Sequence, residues 1–183
     1  MPLSARKLLT QKPSAGLRFT PVAFKSHYDN AHTILLDNKI KNGQAGYHVL
    51  IPAHLDAHTL ILVDQGWIPL GRSRKVLPQP TPIIGEVTIE GLLDFAYRNP
   101  FVSQAVESQT LQWPLRMQQL EFAWLEQCLG KTIYPMLVLL DSPPVQETLM
   151  TPARHQGYAV QWFALAVTLL LFYYFFARKV KKT

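Results

Sequence analysis

With 183 residues and a formal charge of +6, the chain is less basic than it looks, because four of those charges sit in its last six residues and only +2 remains elsewhere. That balance, with no basic stretch interleaved with aromatics, excludes a nucleic-acid binder. A single cysteine, Cys128, excludes an intrachain disulfide and any cysteine-pair metal or redox motif.

Residues 1–17 read as a lead segment. The opening Met1-Pro2-Leu3-Ser4-Ala5-Arg6-Lys7-Leu8-Leu9 has no apolar core and is not a secretory signal. From residue 18 the pattern is one of short strands. Arg18–Phe24 alternates partly, with Pro21 marking an edge or a strand start. Thr33–Leu36 is a strand followed by Asp37-Asn38-Lys39 and then Asn42-Gly43, a strand-turn signal. Tyr47–Ile51 and Thr59–Val63 are two further strands, joined by a loop that starts at Pro52. Pro78, Pro80 and Pro82 form an extended connector to a half-buried strand over 85–95. Asn99-Pro100 and the polar stretch 103–110 predict a mobile loop.

One helix stands out, Met117–Leu129. Met117, Leu120, Trp124 and Cys128 recur at helical spacing, and Gly130 is the expected C-cap. Cys128, on the apolar face, reads as a small inert hydrophobe. The apolar run 133–140, closed by Pro143-Pro144, is the last strand. The sum is an α+β domain, mainly antiparallel sheet, a small barrel or curled sheet with one or two helices, over residues 18–150.

A membrane anchor follows over 151–177. The apolar stretch 157–177 has only Thr168 as a polar interruption in its inner part. At a rise of about 1.5 Å per residue it spans a hydrocarbon core roughly 30 Å thick. Arg178, Lys179, Lys181 and Lys182 follow at once, whereas Arg154 stands nearly alone before it. The positive-inside rule then puts residues 178–183 in the cytoplasm as a basic tail and the domain outside, in a periplasm-like space. A lone C-terminal span would not export the domain before it, so an upstream membrane helix is expected beyond this chain. The tail's charge suits anionic lipid headgroups.

Three segments together resemble the surfeit locus protein 1 family of cytochrome c oxidase assembly factors. They are Gly46-Tyr47-His48-Val49-Leu50-Ile51-Pro52, then Leu62-Val63-Asp64-Gln65-Gly66-Trp67-Ile68-Pro69, then Arg154-His155-Gln156-Gly157-Tyr158-Ala159-Val160-Gln161-Trp162-Phe163. The second is similar to the family's Val-Asn-Arg-Gly-Trp-Val-Pro, and the third to its Asn-His-x-x-Tyr-Ala-x-x-Trp-Phe at the start of the last membrane helix. Asp64, Gln65 and Arg154 depart from the usual Asn, Arg and Asn. The resemblance implies two membrane helices flanking a domain on the outer side of the bacterial inner membrane. It also implies a non-enzymatic assembly role in which haem a is held and delivered to oxidase subunit I, with haem a synthase as a further partner.

On that footing His155 is the leading site residue. Thr151 as N-cap and Pro152 at the first helical position would set His155 in the anchor's first turn. There the positive end of the helix dipole, with Arg154, disfavours imidazolium and keeps the ring in the form that ligates haem iron. Tyr158 and Trp162 share its helical face and offer an aromatic wall to a porphyrin, while Arg154 suits propionates. The plain alternative is that His, Tyr and Trp gather at membrane interfaces in any case. Gly66-Trp67 reads as a strand ending in a tight turn, either a structural motif or a partner contact. Arg72 and Arg74 read as a solvated charge run.

Two other functions compete. One is a scaffold that docks oxidase subunits without touching haem. The other is a metal-dependent enzyme using His54 and His58, with Asp56 or His48 adding a ligand. A hairpin loop suits the 54–58 segment better than the helix that i, i+4 sharing of a metal needs, and no nucleophile elbow, phosphate loop or carboxylate constellation appears elsewhere.

Overall fold

The computed structural model describes residues 2–71, 74, 76–96, 111–140 and 152–180; within the last stretch it describes the side chains of 156–178 only. The chain divides into two units, 1–143 and 144–183.

The first unit is built on one seven-stranded sheet, with β1 (Pro21–His27), β2 (Ile34–Lys41), β3 (Gln44–His54), β4 (Thr59–Pro69), β5 (Glu86–Asp94), β6 (Leu115–Met117) and β7 (Thr132–Leu139). The spatial order is β1-β5-β7-β4-β3-β2-β6. Four pairings are antiparallel and two, β4 with β7 and β2 with β6, are parallel. The expected mainly antiparallel sheet is therefore a mixed one that remains mostly antiparallel. It is also curled: beyond β1, Tyr28 bridges Ala53 of β3, and the Asp29 amide donates to the Pro52 carbonyl at 2.8 Å.

Curling covers both faces of the central strands, which is why β4 begins as an unbroken apolar run instead of an alternating one. Ile61 and Val63 join one cluster with Phe24, Ile89, Leu93 and Val138. Leu60 and Leu62 join a second with Ile34, Leu50, Leu115, Met117 and Ile133. A helix, α1 (Ala5–Thr10), adds the fully buried Leu8 to the first cluster, and Leu3 pairs with Val22 beside β1. The second cluster takes the buried Leu125 of α2 (Phe122–Leu129).

Two local expectations change. Met117 lies in β6, paired with Leu36, so the helix predicted from 117 starts five residues later; sheet pairing overrides a helical spacing that Met117 and Leu120 happen to fit. Gly130 does close α2, at φ 63°, with its amide on the Glu126 carbonyl. Cys128 is half-buried and burial pushes its thiol up, as suits an inert side chain. The Asp37-Asn38-Lys39 turn is instead a bulge inside a longer β2: Asn38 takes φ 59° and its amide donates to the Asp37 carboxylate at 2.6 Å. The chain reverses at Asn42-Gly43, where both φ values are positive, as a two-residue hairpin turn requires. The loop expected over 99–110, Pro143-Pro144 and Thr151 lie outside the described residues.

The second unit contains α3 (Pro152–Val180), 29 residues long. Its Gln156–Arg178 stretch has a mean hydropathy of 1.8 over its most apolar window, none of it buried within the protein, and by length and composition it can cross a membrane. Thr168 Oγ1 donates to the Ala164 carbonyl at 2.8 Å, which satisfies the polar group inside the apolar run. At the far end the Arg178 guanidinium lies 4.6 Å from the Tyr174 ring centroid.

Candidate functional site

The first two motif segments meet in space. β3 and β4 pair Gly46 with Pro69, Tyr47 with Ile68 and His48 with Trp67. Level with Asp64 the parallel neighbour β7 ends at Leu139, and the Leu140 amide donates to the Asp64 carbonyl at 3.2 Å. Past that level β2, β3 and β4 run on as a three-stranded arm, which ends in the Asn42-Gly43 turn. Gly66, expected to end a strand, sits at φ 103° beside a register shift, and β4 continues through it to Pro69. Such a glycine breaks the period-two pattern and so reads as a terminus in sequence, although the ladder survives it.

Trp67 is held closely. A β-carbon on Gly46 would meet the Trp67 indole and the Ile68 carbonyl well inside van der Waals contact, so the ring lies directly on the glycine. The indole N–H donates to the Lys39 carbonyl at 3.1 Å and ties β4 to β2 across β3. Trp67 thus has a structural role in the arm.

A polar group lies at the arm's root. The Asp64 carboxylate, 11 % exposed, lies 2.7 Å from His48 Nδ1 and also accepts the Gly66 amide at 2.8 Å. An ionised carboxylate accepts only, so Nδ1 carries the proton and donates. Nε2 lies on the other edge of a half-exposed ring, without a hydrogen bond among the described residues. Burial lowers the pKa of the Lys39 ammonium, and the nearby Asp64 charge works against that shift. On the opposite side of the sheet, burial raises the Tyr28 phenol, with the Gln65 amide acting against it.

Sequence reasoning missed the Lys39–His48–Asp64 group. His48 stands in the first family-like segment and as a possible extra ligand for His54 and His58, and nothing in the residues announces the register that sets Asp64 against it. The 54–58 segment itself is a hairpin turn, as expected. Asp56 Oδ1 accepts the amides of His58 and Thr59 at 2.8 and 2.6 Å, and these bonds, that of His58 foremost, lower its pKa against the opposing effect of burial. Among the described residues no group of three or more His, Cys, Asp or Glu is placed to hold a metal ion.

The third segment opens α3. The helix starts at Pro152, so His155 falls in its first turn and 155, 158 and 162 share one helical face by backbone position. The side chains of Arg154 and His155 lie outside the described residues. Tyr158 and Trp162 are 51 % and 72 % exposed.

An uncovered apolar helix joined to a curled mixed sheet defines the class: a sheet domain tethered to a membrane. More narrowly, the chain belongs to the SURF1 family, whose profile matches residues 1–167. The family is known for cytochrome c oxidase assembly factors, which places this chain with the oxidase assembly machinery. No curated protein matches the chain significantly.

Proposed function

We propose that the chain holds haem a at the mouth of its anchor and delivers it to oxidase subunit I, with haem a synthase as the upstream partner. The single observation that carries this reading is the start of α3 at Pro152, which sets His155 in the first turn with Tyr158 and Trp162 on its face. The residues suit the group: two large aromatic side chains stand uncovered on that face, ready for a planar ligand. Haem a would be cargo, and the His155 imidazole would hold its iron. The first-turn position favours the neutral ring, and the unpaired helix amides with Arg154 favour propionates. The flanking charges support an orientation in the bacterial inner membrane with the sheet domain in the periplasm and the C-terminus in the cytoplasm.

The test is an optical spectrum of the chain purified in detergent from cells that make haem a, beside His155→Ala and His48→Ala at equal yield. The expected result is a haem a spectrum lost with His155→Ala and kept with His48→Ala. A folded parent protein that carries no haem a from such cells would remove the cargo role and leave the scaffold function. A spectrum that survives His155→Ala would remove this residue as the ligand.

A further inference from the structure

The three-stranded arm carries a one-sided charge that haem transfer does not use. Residues 38–55 contain Lys39 and Lys41 and no acid; residues 65–85 contain Arg72, Arg74 and Lys75 and no acid. The two nearest carboxylates are withdrawn into the protein. Asp37 is 1 % exposed and bound to the Asn38 amide and, at 3.4 Å, to Arg74; Asp64 is bound to His48 and Gly66. Five cations against these two carboxylates leave the arm net positive. It is also apolar at the tip. Ile40 is 73 % exposed, two residues from the Asn42-Gly43 turn and paired with Ala45. Val76, 74 % exposed, lies between Arg74 at the arm's root and Leu77, which packs on the Tyr47 cluster.

Strand alternation separates these characters. Lys39 and Lys41 point to one side of the ribbon and Ile40 to the other. An exposed lysine on one side of the ribbon and an exposed isoleucine on the other, near its turn, suit an interface where anionic headgroups overlie acyl chains. The chain leaves the sheet at Leu140, bonded to Asp64 at the arm's root, and only residues 141–151 precede the anchor. A segment of that length spans at most roughly 40 Å.

We infer that the tip of this arm, residues 39–44, docks on the anionic phospholipid surface of the membrane that holds the anchor. The contact is electrostatic first: the exposed Lys41 meets headgroup phosphates, with the half-buried Lys39 adding its charge from behind, and Ile40 enters the headgroup boundary. The inference needs only the anchor, and it stands or falls independently of the haem reading.

The experiment uses the full chain in nanodiscs of phosphatidylcholine with or without phosphatidylglycerol, carrying Cys128→Ser and a nitroxide at Gln44→Cys. A second sample carries the label at Ala57→Cys, in the turn at the opposite end of β3. Accessibility to a soluble nickel chelate reports shielding. The expected result is shielding at 44 and not at 57, in phosphatidylglycerol discs only, relieved by high salt. Each phosphate-facing lysine contributes enough that Lys41→Gln should lower the docked-to-free ratio roughly fivefold. Lys41 is exposed, so that variant leaves the fold intact. Equal accessibility at 44 and 57 in both lipids overturns the inference. So does shielding at 44 that ignores lipid charge, salt and Lys41→Gln, which would mean an uncharged contact instead.

Discussion

Replacing Gly46 by alanine tests the internal logic of the arm with one methyl group. Gly46 is not among the glycines at positive φ, so alanine is conformationally acceptable and the cost arises from crowding alone. The new carbon meets the Trp67 ring, which can shift only by straining its bond to the Lys39 carbonyl, and the Ile68 carbonyl, which belongs to the ladder. Overpacking of this kind costs about 1–3 kcal/mol, and loss of one hydrogen bond adds about 1 kcal/mol. Against a total stability of about 5–15 kcal/mol that is a large fraction. With a urea slope of about 2 kcal/mol/M, the unfolding midpoint should fall by roughly 1–2 M. The assay is urea unfolding of the full chain in mild detergent, followed by far-ultraviolet circular dichroism, with hydrogen exchange read at residues 39–46. In a Trp67→Ala background the same alanine should cost less, because one of its two collisions is gone. A Gly46→Ala chain with the parent's midpoint and unchanged exchange in the hairpin would refute the packing argument.

Asp64→Asn should keep the Gly66 amide bonded but remove the charged acceptor of His48, at a cost of about 1–2 kcal/mol, and nitrogen-15 NMR should show the imidazole losing its fixed Nδ1–H tautomer. Leu8→Ala should destabilise the sheet domain by about 2–5 kcal/mol in the same urea assay, since the side chain is fully buried in the first cluster; an unshifted midpoint would show that α1 is not part of the core. The turn at 54–59 should hold in mild acid. The folded Asp56 pKa lies below the ordinary 3.8, so its support is complete above that value and is lost only as the pH falls through the lower folded one. Protection of the His58 and Thr59 amides, corrected for the intrinsic exchange rate at each pH, checks this, and protection that falls away well above pH 3.8 would contradict it.

How much of this was legible before the structure depends on whether a signal is local. The Asn42-Gly43 reversal, the Gly130 cap and the unbroken apolar run of the anchor are each specified within a few residues, and each is where it was expected. The centre of the sheet was legible as strands because Thr59–Val63 and residues 133–140 are too apolar and too short for much else. The bulges at Asn38 and Gly66 were misread as turns, because a residue that breaks alternation looks the same from the sequence whether or not the ladder resumes beyond it. β6 and α1 were missed for a different reason. Three residues make no period, and Leu8 is one apolar position in a basic lead whose only structural signal is the cluster it enters.

The register of β3 and β4 decides what the least predictable residues do. Asp64 and Gln65 are adjacent in sequence and both depart from the pattern the family segment usually shows, so they read as one altered turn that has lost a positive charge. On a strand, neighbours point to opposite faces. Asp64 therefore turns to His48 and Lys39, while Gln65 turns to Tyr28, on the side of the sheet that carries Tyr47 and Val49. The two departures act on separate faces. The change at 64 supplies the carboxylate that orients His48 and faces Lys39. The change at 65 puts a neutral amide beside the half-buried Tyr28, where a guanidinium would carry a desolvation cost. Bonded to His48 and Gly66, Asp64 keeps its charge and offsets that of Lys39. Asp37 does the same for Arg74, so among the described residues Lys41 carries the exposed charge of the arm.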